Sequence, residues 1–385
     1  SHTLLLIIAY LGFISLGLPD TLIGVAWPSV RETFHLQQSS IALIFFGAGF
    51  SYFLSSFFTG RLLSVMGVGV LLAASSTLVA LSGFGYAMAP VWALFAACSL
   101  LHGLGSGAID SGLNHYVAHH FSARHMNWLH ACYSLGATFG PLIMTGMLAW
   151  NGSWRAGYFT VASILLSLSL LFAFTRRKWD AGEETAETAE QTKSASMSDA
   201  LRHPTVWLQV VLFFVYTGLE VTVGQWSFTL LTESRSIEKE TAGLWVTIYW
   251  ASIGVGRVFF GFVVDRLGID RLIRLSLFTT VVGTILFALN LSPVLSAVSL
   301  ALAGLGLAAI YPCMMTRTPQ RLGKALAAHA IGFQVSGAML GAAALPSLTG
   351  FLAQRFGLET IAAAAVGMAV VLYLLHESLL FRSPR

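Results

Sequence analysis

The chain has 385 residues, 56% of them hydrophobic and 10% charged, and a mean hydropathy of +0.75. Soluble globular chains carry about 25% charged residues, so a purely soluble core is excluded and part of the solvent must be lipid. The formal charge of +4 calls for no nucleic-acid partner, and Cys98, Cys132 and Cys313 lie in apolar runs without metal-ligand or disulfide spacing.

The first apolar run begins at Leu4 with no basic segment before it and no small-residue cleavage site after it. That predicts a spanning helix rather than a removed leader. Apolar stretches of about 20 residues, each able to cross the hydrocarbon as a helix, then recur along the chain. They fall at 3–28, 38–60, 68–89, 91–117, 127–150 and 154–175, and again at 204–231, 240–264, 270–290, 293–316, 324–353 and 358–379. The predicted fold is an all-α membrane protein with twelve transmembrane helices in two six-helix bundles, 1–175 and 204–385. Between them, 176–203 is polar and charged with no periodic apolar face, the composition of a flexible linker.

An even number of spans puts both termini on one side. One set of alternate loops, with the C-terminus, holds fifteen of the lysines and arginines; the other set holds five, and Arg257 falls within a span. The bias predicts cytoplasmic termini in a bacterial inner membrane. Motifs also recur at one offset of 201 residues. Gly17-Leu18 matches Gly218-Leu219, Gly60 and Gly67 match Gly261 and Gly268, Leu104-Gly105 matches Leu305-Gly306, and Gly136 and Gly140 match Gly337 and Gly341. A gap-free shift shared by four helix pairs predicts a parallel duplication.

After the eighth span, Gly261-Phe262-Val263-Val264-Asp265-Arg266-Leu267-Gly268 resembles the cytoplasmic signature loop of the major facilitator superfamily, Gly-x-x-x-Asp-Arg-x-Gly. The resemblance implies a gating role for Asp265 and Arg266, linking helix ends, with Gly261 permitting close helix contact. The plain alternative is a positively charged cytoplasmic loop. Arg257, near that loop, either snorkels to the membrane face or pairs with a carboxylate such as Asp265, and joins the gating set.

Ionisable residues inside spans are costly and face cavities or partners. Asp20 follows Pro19, which removes a backbone donor and loosens the first helix beside the acid. Asp110 and Asn114 share one face of the fourth helix, and a buried Asp110 suits reversible protonation. His130 is either a pH-sensitive ligand and proton relay or a neutral histidine bonded between helices. Glu220 sits at the repeat position of Pro19. Gln225, Trp226 and Gln334 supply amides and a ring that suit a polyhydroxylated solute, although Trp226 equally fits a lipid-interface anchor.

The run Asp110-Ser-Gly-Leu-Asn114-His115-Tyr116-Val117 resembles the fourth-helix pattern of the fucose–proton symporter family. The run Asn127-Trp-Leu-His130-Ala-Cys-Tyr133-Ser-Leu-Gly136-Ala137 is similar to its fifth-helix pattern. His130, Tyr133 and His115 stand where that family has Gln, Asn and Pro. The resemblance implies proton-coupled symport of a sugar or similar neutral polar solute. Asp110, Asp20 and His130 would then couple the proton, while Asp20, Asn114, His130, Tyr133, Glu220, Gln225, Trp226 and Gln334 would meet the solute. Sodium coupling fits the same acids, and a proton-antiport exporter of drugs or amphipathic metabolites is the nearest rival. A transporter-like receptor would need a partner surface that the short loops do not offer. No nucleophile–base set, nucleotide loop or metal-ligand run points to an enzyme, a cofactor or a metal; His115, His119, His120 and His125 cluster without a carboxylate or thiol. The expected form is a monomer in a lipid bilayer.

Overall fold

The computed structural model describes residues 2–120, 123–180 and 197–382, and among them only helices and connecting turns occur. Twelve helical segments are long and apolar enough to cross a membrane: α1 His2–Phe34, α2 Gln38–Ser56, α3 Val65–Met88, α4 Trp92–Asp110, α5 Trp128–Asn151, α6 Trp154–Trp179, α7 Pro204–Ser234, α8 Lys239–Leu267, α9 Ile269–Leu289, α10 Pro293–Met315, α11 Phe333–Phe356 and α12 Thr360–Arg382. The protein is therefore a multi-pass, all-α membrane protein.

Several edges differ from the hydropathy pattern. The helix of α6 continues to Asp180, because Trp179 is buried against Tyr116 (ring centroids 4.8 Å apart) and donates to Thr175 Oγ1 at 3.2 Å. A short helix, Met197–Arg202, precedes α7. The expected linker at 176–203 is thus helical at both ends, and its residues 181–196 lie outside the described residues. Within α1 the helix runs through Pro19 and Asp20, is interrupted at Thr21 and resumes at Leu22. The Thr21 hydroxyl donates to the Ala137 carbonyl of α5 at 2.9 Å, pinning the interruption to a neighbouring helix.

The duplication is visible in backbone geometry. The arms α2 and α3 belong to one helical stretch, Ala42–Met88, broken at Gly67 (φ 76°, ψ 165°). Gly268, 201 residues on, holds nearly the same angles (φ 80°, ψ 150°) between α8 and α9. This left-handed region is open to glycine at little cost. The match extends to helix contacts. A Cβ on Gly103 would strike the Ala48 carbonyl, and one on Gly304 the Tyr249 carbonyl; Gly105 lies against the Ser75 carbonyl and Gly306 against that of Ser276. Each partner is also displaced by 201. So α4 is wedged onto α2 and α3 at the same atoms at which α10 is wedged onto α8 and α9, the close backbone approach that small residues allow in membranes.

The chain divides into two compact units, Ser1–Thr188 with Glu238–Thr247, and Ala189–Ile237 with Ile248–Arg385. The opening of α8 thus groups with the first unit, whereas the apolar pattern assigns all of α8 to the second half.

Candidate functional site

In the first unit, three spans converge on Asp20. Its Oδ1 lies 2.8 Å from His102 Nε2 of α4, and the Tyr133 hydroxyl of α5 donates to its Oδ2 at 2.9 Å. Asp20 is the last helical residue before the break at Thr21, and neighbours reach both of its oxygens. Its side chain is 31% exposed against 11% for His102, so the acid borders open space while the imidazole behind it does not. The second acid, Asp110, is eight residues beyond His102 on the same helix, about 12 Å along the axis. The Tyr52 hydroxyl of α2 donates to Asp110 Oδ2, and Tyr52 lies in the field of both acids and of Tyr133.

These partners are chemically alike. A phenol or an imidazole can donate to a carboxylate and can also accept from a carboxylic acid. Either protonation state of Asp110 or Asp20 therefore keeps a hydrogen bond.

His130 is exposed, with its ring edge-on to Phe13 at 5.3 Å. The side chain of Asn114 lies outside the described residues. Sequence reasoning overlooked His102 and Tyr52. The signal for His102 was present, an ionisable residue inside an apolar span and two turns from Asp110. Nothing distinguished Tyr52 from other aromatics, since its role depends on which helix faces α4.

The second unit is built differently. Glu220 Oε1 of α7 lies 3.3 Å from Arg257 Nη2 of α8, with side chains 11% and 15% exposed. Arg257 does not pair with Asp265, as its sequence position suggested. The two are eight residues apart on one helix, about 12 Å, while Glu220 faces Arg257 across the α7–α8 packing. A guanidinium carries donors only, so Glu220 serves Arg257 as an acceptor in a structural ion pair. The Tyr249 hydroxyl donates to the Glu220 carbonyl at 2.8 Å and that of Tyr216 to the Leu307 carbonyl at 2.9 Å.

Three further expectations are corrected. Trp226 is fully buried and its Nε1 donates to the Pro346 carbonyl at 2.9 Å, so it is neither a lipid-interface anchor nor a free stacking face. Gln334 is also fully buried; its amide donates to Thr318 Oγ1 at 3.0 Å, beside Gln209, which donates to the same hydroxyl at 3.1 Å. Its polar atoms are spent inside the unit. Gly261 is exposed and no described atom lies within 4 Å of where its Cβ would stand, so among the described residues the expected close helix contact is not made. Asp265 and Arg266 are exposed at the end of α8, and among the described residues the ion pairs near it join Asp270 to Arg317 and Arg321, and Glu377 to Arg274. Gln225 is 4% exposed, and its Nε2 has no hydrogen-bond partner among the described residues.

Among the described residues no group of three His, Cys, Asp or Glu side chains could hold a metal ion. His120 is turned onto Tyr116, with Nδ1 2.9 Å from its carbonyl and the rings stacked at 4.2 Å, and His125 Nδ1 lies 3.1 Å from the Tyr10 hydroxyl.

Duplicated sets of spanning helices, each enclosing buried ionisable residues, define a polytopic membrane transporter. The chain belongs to the Major Facilitator Superfamily, whose sequence profile matches residues 9–234 and 211–385. It is 26% identical over 384 residues to Bypass of stop codon protein 6 of Saccharomyces cerevisiae, covering 91% of this chain and 77% of that one. It is 23% identical over 321 residues to the glucose/mannose transporter GlcP of Bacillus subtilis, covering 80% and 78%. Among solved structures, a mutant of the nucleoside transporter NupG superposes with a TM-score of 0.80 at 14% identity, over 97% of this chain and 98% of that one. This likeness shows the fold. The protein is a transporter and not an enzyme.

Proposed function

We propose that the protein is a proton-coupled symporter of a sugar or similar neutral polar solute, working by alternating access as a monomer in a bacterial inner membrane, with both termini cytoplasmic. One observation carries this reading. Two carboxylates in the spans of the first unit are each held by partners that bond both the ionised and the protonated acid, Tyr52 for Asp110 and His102 with Tyr133 for Asp20. Asp110 is the proton-coupling residue and Asp20, with its partly exposed carboxylate, the one that meets both proton and solute. Tyr133 and His130, on neighbouring turns of α5 in the first unit, supply further polar groups for hydroxyls. The relative named as a glucose/mannose transporter supports the solute class.

The test is solute-driven proton uptake in proteoliposomes, screened over neutral sugars and polyols, with Asp110→Asn alongside. A sugar-dependent pH signal that Asp110→Asn abolishes, while solute exchange persists, supports symport. Proton release driven by hydrophobic cations, with no response to any sugar, would replace symport by drug–proton antiport.

A further inference from the structure

Three spans of the first unit border an open groove of about 430 Å³ at the end where α3 and α5 stop and α6 starts. Clefts that take small ligands hold roughly 300–1,000 Å³. The walls are Met88 of α3, Met147 and Trp150 of α5, and Ala156 and Phe159 of α6, with Arg155 as the one charged group of the lining. Met88, Trp150 and Phe159 are exposed on the outside of the bundle, so the groove opens toward the lipid side of the unit.

Arg155 is held in place but not neutralised. Its Nη1 donates to the carbonyls of Ala87 and Ala89 at 3.1 and 2.8 Å, and its guanidinium carbon lies 4.4 Å from the centre of the Trp154 ring. Among the described residues no carboxylate pairs with it. Its Nε and Nη2 make no hydrogen bond there, and neither belongs to the polar atoms shut inside the protein. The duplicated half closes the same helix end without a cation. Phe356 stands 201 residues beyond Arg155, and α9, the repeat of α3, ends at Leu289 with Asn290 in the left-handed conformation (φ 48°).

We propose that this groove holds one anionic phospholipid, with its phosphate on Nε and Nη2 of Arg155 and an acyl chain along Met147 and Phe159. Nε and Nη2 form the guanidinium edge whose parallel N–H groups match two oxygens of an anion. Arg274 grips both oxygens of Glu377 with the same edge. The lining has no acid, and the Thr160 hydroxyl already donates to the Ala156 carbonyl at 2.8 Å. The ammonium of a zwitterionic headgroup would find no partner, so charge favours a lipid of net negative charge. The apolar walls favour a lipid over free phosphate. Trp150, at the end of α5, stands where tryptophans gather at a membrane interface.

The experiment presents the full chain in maltoside detergent with short-chain phosphatidylglycerol or phosphatidylcholine and counts retained lipids by native mass spectrometry. One phosphatidylglycerol per chain is expected at a concentration about ten-fold below that needed for phosphatidylcholine. Arg155→Gln should raise that concentration about ten-fold, the loss of one charge-assisted pair. Arg155 also secures the end of α3, so a second variant leaves it in place. Ala156→Leu fills the groove and should weaken retention, while the unfolding temperature stays close to that of the parent. Arg355→Gln, beside the repeat position, should leave retention unchanged. Equal retention of the two lipids overturns the site, as does displacement of phosphatidylglycerol by inorganic phosphate at matched ionic strength. Retention that survives both Arg155→Gln and Ala156→Leu overturns it too.

Discussion

Oδ1 of Asp20 and Nε2 of His102 lie 2.8 Å apart, although 82 residues separate them in the chain. The pair ties the interrupted helix α1 to α4, the helix that also carries Asp110. It makes His102 a positioning residue for the proposed symport. Replacing it by leucine is expected to slow solute-driven proton uptake about ten-fold, the loss of one charge-assisted hydrogen bond. His102→Gln, which restores a donor to Asp20, should recover most of the uptake that His102→Leu loses. Uptake in His102→Gln as slow as in His102→Leu would show that the bond to Asp20 does not position the acid.

Tyr52→Phe removes only the hydroxyl that reaches Asp110. Solute binding is expected to persist while proton-coupled uptake falls several-fold, since Asp110 loses the partner that serves both of its protonation states. Isothermal titration beside the liposome assay separates the two effects.

The Glu220–Arg257 pair is a stability element. Removing one partner leaves a buried charge, so Arg257→Gln should destabilise the protein by about 3 kcal/mol. The double variant Glu220→Gln with Arg257→Gln should recover much of that loss. Unfolding midpoints of the two single variants and the double variant form the cycle that measures it.

The two wedges predict equivalent damage in the two halves. Gly105→Leu drives a side chain into the Ser75 carbonyl, and Gly306→Leu into that of Ser276. Each should cost about 1–3 kcal/mol or more from overpacking, and detergent-solubilised yield with unfolding temperature would show it. Gly146, with no described atom within 4 Å of its Cβ position, should accept alanine with little change.

Arg235 holds Glu359 below its ordinary value of 4.5 through a bidentate pair at 3.0 and 2.8 Å, with Ser234 adding a third hydrogen bond. A depressed carboxyl stabilises the fold above its unfolded value, and that contribution disappears as pH falls through its folded value. Glu359 is half exposed, so screening keeps the effect small. Thermal scans at falling acidic pH should show a loss of stability in the parent that is weaker in Glu359→Gln.

Much of the fold could be read directly from residue order. Spans follow from runs such as Leu4 to Trp27, and the duplication follows from the shared offset of Gly105 with Gly306, because lipid forces each segment to satisfy its own backbone as a helix. The extension of α6 to Asp180 escaped the hydropathy pattern, since Trp179 is fixed by packing on Tyr116 and by its bond to Thr175 rather than by local apolarity. Trp226 and Gln334 looked like solute contacts for the same reason. Sequence shows which residues are polar, but not whether Pro346 or Thr318 already occupies them.

Sequence alone determined the number of spans, the repeat, the superfamily signature around Asp265 and the presence of acids at positions 20 and 110. These rest on local hydropathy and spacing, which one chain displays without a partner. Tertiary structure decided that Asp20 meets His102 and Tyr133, that Asp110 meets Tyr52, that Glu220 is spent on Arg257 and that Asp270 pairs with Arg317 and Arg321. Each pairing joins two different helices, and the rotation of each helix about its own axis is set by which glycines let neighbouring backbones close together.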